Sequence, residues 1–243
     1  MDINHAEPIC CCADKRRYRG VAYQAWMNCN GAWIVSININ IQKGQLDCFD
    51  WHSLIDKTDT ACLEHENNVF SQNLQRLTGR LCAKLAMSLL NGEKPEFNVI
   101  EISQASVNRG QPLSPSGYVS ISHSGDWVFA AAACNPVGID IQQIRGFGES
   151  ALMSVFSARE RRVCEPQELT LIWSVKEAYL KALGRSLIPH AMYLETGRYG
   201  DKWVVDDSYS TSLKAANLKR RQQVECEFYD GYALAVCLIK SDT

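Results

Sequence analysis

The stretch QVECEFYDGYALAVCL, Gln223 to Leu238, constrains the fold of this chain more than any other. Asp230-Gly231 stands between two runs of alternating character. Asp-Gly is favoured where a two-residue turn needs positive φ at both positions. Two strands must therefore meet antiparallel near the end of the chain. Elsewhere the period lengthens from two to nearly four. Val69, Phe70, Leu74, Leu77, Leu81, Leu85 and Leu89 recur at helical spacing, and Asn91-Gly92 with Pro95 beyond it closes that helix. Hairpins interspersed with long helices predict an α+β fold.

The remaining stretches place further elements. Residues 1–20 read as an irregular N-terminal arm with a basic cluster at Lys15, Arg16, Arg17 and Arg19. AWIVSININI, Ala32 to Ile41, alternates at Ile37, Ile39 and Ile41 and predicts a strand. SVNRGQPLSPSGY, Ser106 to Tyr118, reads as a connection and a seam between halves. The expected division is thus an N-terminal half over 21–117 and a C-terminal half over 118–243. VSISHS and WVFAAAAC follow as strands, and Asn135-Pro136 leads on into VGIDI. So short a turn predicts antiparallel pairing of the strands it joins. FSARERR, Phe156 to Arg162, opens a helix in which Ser157 and Glu160 form a capping box behind Phe156. Glu160 is accordingly read as a cap. A second helix, LTLIWSVKEAYLKALG, runs to Gly184.

Composition narrows the class of function. The 243 residues carry a formal net charge of −2, which argues against a nucleic-acid or anionic-membrane binder. The longest apolar run, Trp127 to Cys134, is strand-sized, so no membrane span is expected. The start MDINHAEPIC has no secretory pattern. Eleven cysteines include no C-x-x-C pair. Cys82, Cys134, Cys226 and Cys237 fall within apolar patterns, where a free thiol acts as a small hydrophobe. A reducing cytoplasm is the expected setting.

Three features carry chemistry. Read as a strand, VGIDIQ points Val137, Ile139 and Ile141 one way and Gly138, Asp140 and Gln142 the other. The second set is either a wetted face or an edge that holds a hard metal ion. In WSVKEAYLKALG, Trp173, Glu177, Lys181 and Gly184 are spaced to share one helix face. A surface salt bridge would explain Glu177 and Lys181 but not the tryptophan beside them, which suits a pocket wall. Two carboxylates with an amide oxygen, completed by waters, suit Mg2+, and lysines alongside suggest a phosphorylated substrate. On the helix of 69–90, Arg76, Arg80 and Lys84 lie four apart. A solvated stripe is the plainer reading and a phosphate contact the alternative.

Taken in order, NRGQP, SISHSGDWVFAA, VGIDI, FSARE and WSVKEAYLKALGRSL resemble the Sfp-like 4'-phosphopantetheinyl transferases. The matched stretch runs from about Asn108 to Leu187, with looser likeness in the helix of 69–90 and the final hairpin. The resemblance implies two similar α/β halves about a pseudo-twofold axis, with coenzyme A bound between them. The implied reaction moves 4'-phosphopantetheine from coenzyme A to a serine of an apo acyl or peptidyl carrier protein. It releases adenosine 3',5'-bisphosphate and depends on Mg2+, with Mn2+ as a substitute. The enzyme is expected to be a cytoplasmic monomer with no nucleic-acid or membrane partner.

The same resemblance assigns residues. Asp140 and Glu177 are implied metal ligands, with Gln142 at a third position. Glu177 is also the candidate base, and Lys181 would neutralise the splitting pyrophosphate, with Lys176 close by. Ser122 and His123 match contacts to the coenzyme A nucleotide. Arg109, Gly110, Gln111 and Pro112 match the loop at the adenine end. Arg76 and Arg80 fall near a 3'-phosphate arginine, in a register the sequence leaves open. Two departures stand out. Gln111 replaces the usual lysine of that loop, and Gln142 replaces an acid found in many members. Gln142 is the feature that favours a rival reading, a non-catalytic relative that binds coenzyme A or a carrier protein.

Overall fold

The computed structural model describes residues 13–49, 70–92, 103–104, 112–163, 165–200, 202–207 and 221–239. They divide into two compact units, with the boundary between Cys134 and Asn135.

The first unit holds a five-stranded sheet in the order β1-β2-β3-β7-β6, antiparallel throughout. Its strands are β1 (Asp14–Tyr18), β2 (Val21–Met27), β3 (Trp33–Asn38), β6 (Tyr118–Ser124) and β7 (Trp127–Ala133). A two-stranded ribbon joins β4 (Ser103–Gln104) to β5 (Pro112–Leu113). Helix α1 (Ile39–Asp47) follows β3, and α2 (Phe70–Asn91) packs against β3, β6 and β7. The core between α2 and the sheet includes Leu81, Leu85, Met87, Val35, Val128 and Ala130.

The second unit holds another antiparallel five-stranded sheet, β8-β12-β11-β10-β9. Its strands are β8 (Val137–Gln143), β9 (Glu195–Tyr199), β10 (Lys202–Asp206), β11 (Arg221–Tyr229) and β12 (Tyr232–Leu238). The helices are α3 (Glu149–Val155), α4 (Pro166–Ala182) and α5 (Leu187–His190). Helix α4 lies on β8 and β12, and its Val175, Ala178 and Tyr179 share a core with Ala233, Ala235 and Val205. The fold is therefore α+β, as expected. The Asp230-Gly231 hairpin forms with positive φ at both residues and Tyr229 opposite Tyr232.

Several expectations are corrected. The strand expected over 32–41 ends at Asn38, whose side chain accepts the Ile41 backbone N–H and caps α1. Ile41 is 71% exposed, so its place in the alternation buried nothing. The arm expected over 1–20 is a paired edge strand from Asp14 onward. The boundary lies after Cys134 instead of at 117, because β6 and β7 complete the first sheet. Nor do β7 and β8 pair across the short Asn135-Pro136 turn. β7 is already flanked by β3 and β6, which leaves no free edge, and β8 pairs with β12. FSARERR yields only a three-residue 3-10 turn, Glu160–Arg162, although its capping box forms. Lys84 is fully buried, since α2 is buried on every side from Leu81 to Ser88. Cys82, Cys226 and Cys237 are buried free thiols, but Cys134 is exposed. Burial, with Glu225 nearby, pushes the Cys237 thiol up to about 12. Among the described residues, no helix is long and apolar enough to cross a membrane.

Candidate active site

The site in the second unit begins with a glycine. A Cβ on Gly138 would collide with the carbonyl oxygen of Ala178 and lie 2.6 Å from the backbone nitrogen of Ala182. Only a residue without a side chain lets β8 press against the backbone of α4. That answers part of the question raised by VGIDIQ: Gly138 and Asp140 face a helix, not water.

The helix has its own logic. Pro166 occupies its first turn, where a missing N–H costs nothing. It ends in paired bonds, Gly184 N to Lys181 O and Arg185 N to Leu180 O, with Gly184 at positive φ. From Leu169 to Ala182, α4 is buried except at Trp173, Glu177 and Lys181, which form one half-open stripe. Among the described residues, that stripe is where α4 is open to chemistry beyond its exposed first turn.

Close approach of β8 brings Asp140 to the stripe. Asp140 is fully buried, and its Oδ1 accepts from Lys181 Nζ at 2.8 Å. Lys181 Nζ also donates to the Ile139 carbonyl at 3.2 Å and lies 3.3 Å from Glu177 Oε1. Burial works against the Lys181 charge, but Asp140 and Glu177 outweigh it and hold the ammonium above the ordinary lysine range. The other Glu177 oxygen, Oε2, accepts the Trp173 indole N–H at 2.8 Å. Trp173 is in turn stacked on Phe147 at 5.3 Å and tilted against Phe156. Glu177 is thus fixed through both oxygens. Gln142 shares the Asp140 face of β8 and is half-buried. It pairs with Ala233, whose carbonyl accepts from Ser174 Oγ, so it lies about one turn along α4 from Glu177.

Lys176 does not join this group, which corrects its expected place beside the substrate. Its side chain is 0% exposed, and its ammonium donates to Glu160 Oε2 at 2.5 Å and to the carbonyls of Val155 and Ala191. Burial lowers its pKa, and the attraction of Glu160 and Glu195 offsets only part of that. Glu160 is more than a cap. Beyond the Ser157 N–H and Lys176, it takes the backbone N–H and hydroxyl of Thr196. The capping box was legible in the sequence. The buried pair was not, because Glu160 and Lys176 carry no spacing that links them.

The first unit holds the other expected residues. Ser122 and His123 stand on β6, the serine buried and the histidine exposed. Helix α2 is set against β6 at two points. A Cβ on Gly79 would lie 2.9 Å from Ile121 Cγ2, and Gln75 Nε2 donates to the Gly125 carbonyl at 2.9 Å. Ile121 and His123 share a strand face. Half-buried Arg76 and Arg80 lie next to these two anchors along the helix. Pro112 is a half-buried member of β5, while Arg109, Gly110 and Gln111 lie outside the described residues.

A cation would suit Asp140 and Glu177. Their oxygens are hard donors, and the Lys181 ammonium is a positive charge already held between them. Among the described residues no three His, Cys, Asp or Glu side chains cluster, so protein carboxylates would supply only part of a coordination shell.

Comparison with known proteins adds to this geometry. Residues 136–237 match the family described as the 4'-phosphopantetheinyl transferase superfamily, a stretch that contains Asp140, Glu177 and Lys181. The chain is 39% identical over 80 residues to 4'-phosphopantetheinyl transferase psf-1 of Bacillus pumilus, covering 30% of this chain and 34% of that protein. It is 26% identical over 132 residues to gsp of Aneurinibacillus migulanus, covering 51% and 52%. It is 32% identical over 83 residues to Sfp of Bacillus subtilis (strain 168), covering 31% and 37%. The aligned stretches span a third to a half of the length of these curated relatives. The resemblance read from the motifs is borne out over them.

Proposed function

We propose that this chain is a 4'-phosphopantetheinyl transferase that moves 4'-phosphopantetheine from coenzyme A to a serine of an apo acyl or peptidyl carrier protein. The observation that carries the proposal is the convergence of Asp140, Glu177 and Lys181 on one half-open stripe, inside the stretch that matches the transferase family. Such a reaction needs a base for the serine proton and a cation for the charge that builds as the pyrophosphate splits. Glu177 fits the first role, since Trp173 holds its carboxylate in place on the half-open stripe. Lys181 fits the second, because it remains an ammonium throughout the neutral range. Asp140 and Glu177 would hold a Mg2+ ion, with Gln142 as a neutral third donor; bound there, the ion would offset pyrophosphate charge. Ser122, His123, Arg76, Arg80 and Pro112 are proposed to contact the coenzyme A nucleotide, and Arg109, Gly110 and Gln111 to complete that contact. The anchoring of α2 on β6 supports the grouping of Arg76 with His123.

The two units are read as the similar halves of the transferase fold with its pseudo-twofold relation. In support, each contains a five-stranded antiparallel sheet with one long helix on a face. A cytoplasmic, monomeric enzyme belongs to the same proposal, and the buried free thiols suit a reducing compartment. The decisive experiment is incubation with coenzyme A, Mg2+ and a panel of apo-carriers, read by intact mass. A mass gain of one phosphopantetheine is expected on at least one carrier, and it should vanish with Glu177→Gln. Binding of coenzyme A with no transfer to any carrier would overturn the proposal in favour of a non-catalytic relative.

A further inference from the structure

Glu177 is held at two points, and the two holds have separate origins. Its Oε1 meets Lys181, which Asp140 and the close approach of β8 fix in place. Its Oε2 accepts the Trp173 indole N–H at 2.8 Å. Trp173 stands one turn earlier on the same half-open stripe. Helix α4 sets where that side chain starts but not how its ring is turned, and the turn of the ring decides where the N–H points. Whatever fixes the ring therefore aims the carboxylate.

The loop of residues 144–148, between β8 and α3, does this through Phe147. The loop is tied down beside Trp173. Ile144 N–H donates to the Gly231 carbonyl at 3.1 Å, and Arg145 N–H donates to Thr170 Oγ1 at 3.4 Å. Thr170 is fully buried on α4, one turn before Trp173. From Arg145 to Ser150 every residue but Phe147 is exposed. A Cβ on Gly146 or Gly148 would meet nothing within 4 Å, so no packing holds the chain at those positions. Phe147 is where this loop joins the core. Its ring lies flat on that of Trp173, with centroids 5.3 Å apart and 19° between the planes. It also meets Phe156 edge-on at 5.2 Å, and Phe156 leans on Trp173 at 6.3 Å. Both ends of α3, Glu149–Val155, thus deliver a phenylalanine to one indole. Aromatic pairs favour particular ring orientations, which simple apolar burial does not.

We propose that Phe147 is a positioning residue for the transfer reaction: it acts through Trp173, whose N–H it keeps trained on Glu177. This role presupposes Glu177 as the base of the proposed transfer. Phe156 belongs to the same clamp but is fully buried core, whereas Phe147 is half-buried and can be removed from a folded protein.

Two measurements test this, and one needs no transfer. In protein labelled with 15N-tryptophan, the indole signal missing from Trp173→Phe identifies Trp173. Its N–H should exchange with solvent much faster in Phe147→Ala than in wild type, while the slowest backbone amides of the unit keep their protection. Gly146→Ala, which adds a methyl group to open space, should change neither. On a carrier, Phe147→Ala should lower kcat by about 10- to 100-fold, the scale of a misplaced catalytic group, with the Michaelis constant for coenzyme A unchanged. Phe147→Tyr keeps the flat ring and should restore both readouts. In Trp173→Phe no N–H is left to aim, so adding Phe147→Ala should lower kcat no further. Wild-type indole exchange in Phe147→Ala, loss of protection shared by the slow amides, failure of Phe147→Tyr to rescue, or additive losses in the double variant would each overturn the proposal. An indole freed by Phe147→Ala in a chain that modifies no carrier would uphold the clamp and sink the transferase reading, so the two failures are distinct.

Discussion

Gly138→Ala is the substitution whose consequence the structure specifies most fully. The new methyl group would meet the Ala178 carbonyl oxygen and, at 2.6 Å, the Ala182 nitrogen. Both are backbone atoms inside a hydrogen-bonded helix, so no side-chain rotation relieves the contact. β8 must withdraw from α4, and overpacking of this kind costs about 1–3 kcal/mol of stability. The withdrawal carries Asp140 away from Lys181, which it now meets at 2.8 Å. A displacement of about 1 Å in a catalytic group costs on the order of 100-fold in rate. The expected result is a folded protein with reduced denaturation midpoint and a transfer rate lower by about two orders of magnitude. Urea unfolding and intact-mass transfer kinetics on a carrier measure the two. Trimming α4 side chains should not rescue it. Wild-type rate and stability in Gly138→Ala would refute the reading that this contact sets the site.

Gly79→Ala offers a contrast, since its clash is with the Ile121 side chain. It should weaken coenzyme A binding severalfold, and a second change, Ile121→Ala, should restore much of it; calorimetry on both variants decides. Lys176→Met should destabilise the fold by about 3–5 kcal/mol, because it leaves Glu160 buried without its cation. The Michaelis constant for coenzyme A should stay the same in whatever protein remains folded, and a selective rise would return Lys176 to the substrate site. Lys181 has a raised pKa in the folded protein, so its stabilising contribution is fully present below about 10.4 and is lost as pH rises through the folded value. The melting-temperature difference between wild type and Lys181→Met should therefore be flat from about pH 6 to 9 and shrink only above the ordinary lysine range.

Local signals in the sequence carried a good deal. The Asp230-Gly231 hairpin, the end of α2 at Gly92 and of α4 at Gly184, and the stripe of Trp173, Glu177 and Lys181 all depend on neighbours a few residues apart. What stayed hidden depends on partners far along the chain. Nothing near β7 announces that β3, some 90 positions earlier, occupies one of its edges and so excludes β8. Ile39 and Ile41 continue an alternation that Asn38 has already ended by capping a helix. Lys176 reads like Lys181 in the sequence, and only the fold separates a buried tie from a half-open charge. The glycine of VGIDIQ was visible, but its reason lay in the backbone of a helix 40 residues away.

The half-open stripe of α4 also governs how the protein should fail. Glu177 and Lys181 ride on a helix whose other faces are buried from Leu169 to Ala182, in the core of its unit. Regions of that kind exchange their amide protons only when a whole cooperative unit opens. A site built on a loop can lose its geometry many degrees before its domain melts. Here there is no local opening that frees Glu177 yet spares the sheet beneath it. Heating should therefore extinguish transfer and the second unit's slowest amide protection together, and inactivation should report the global stability of that unit.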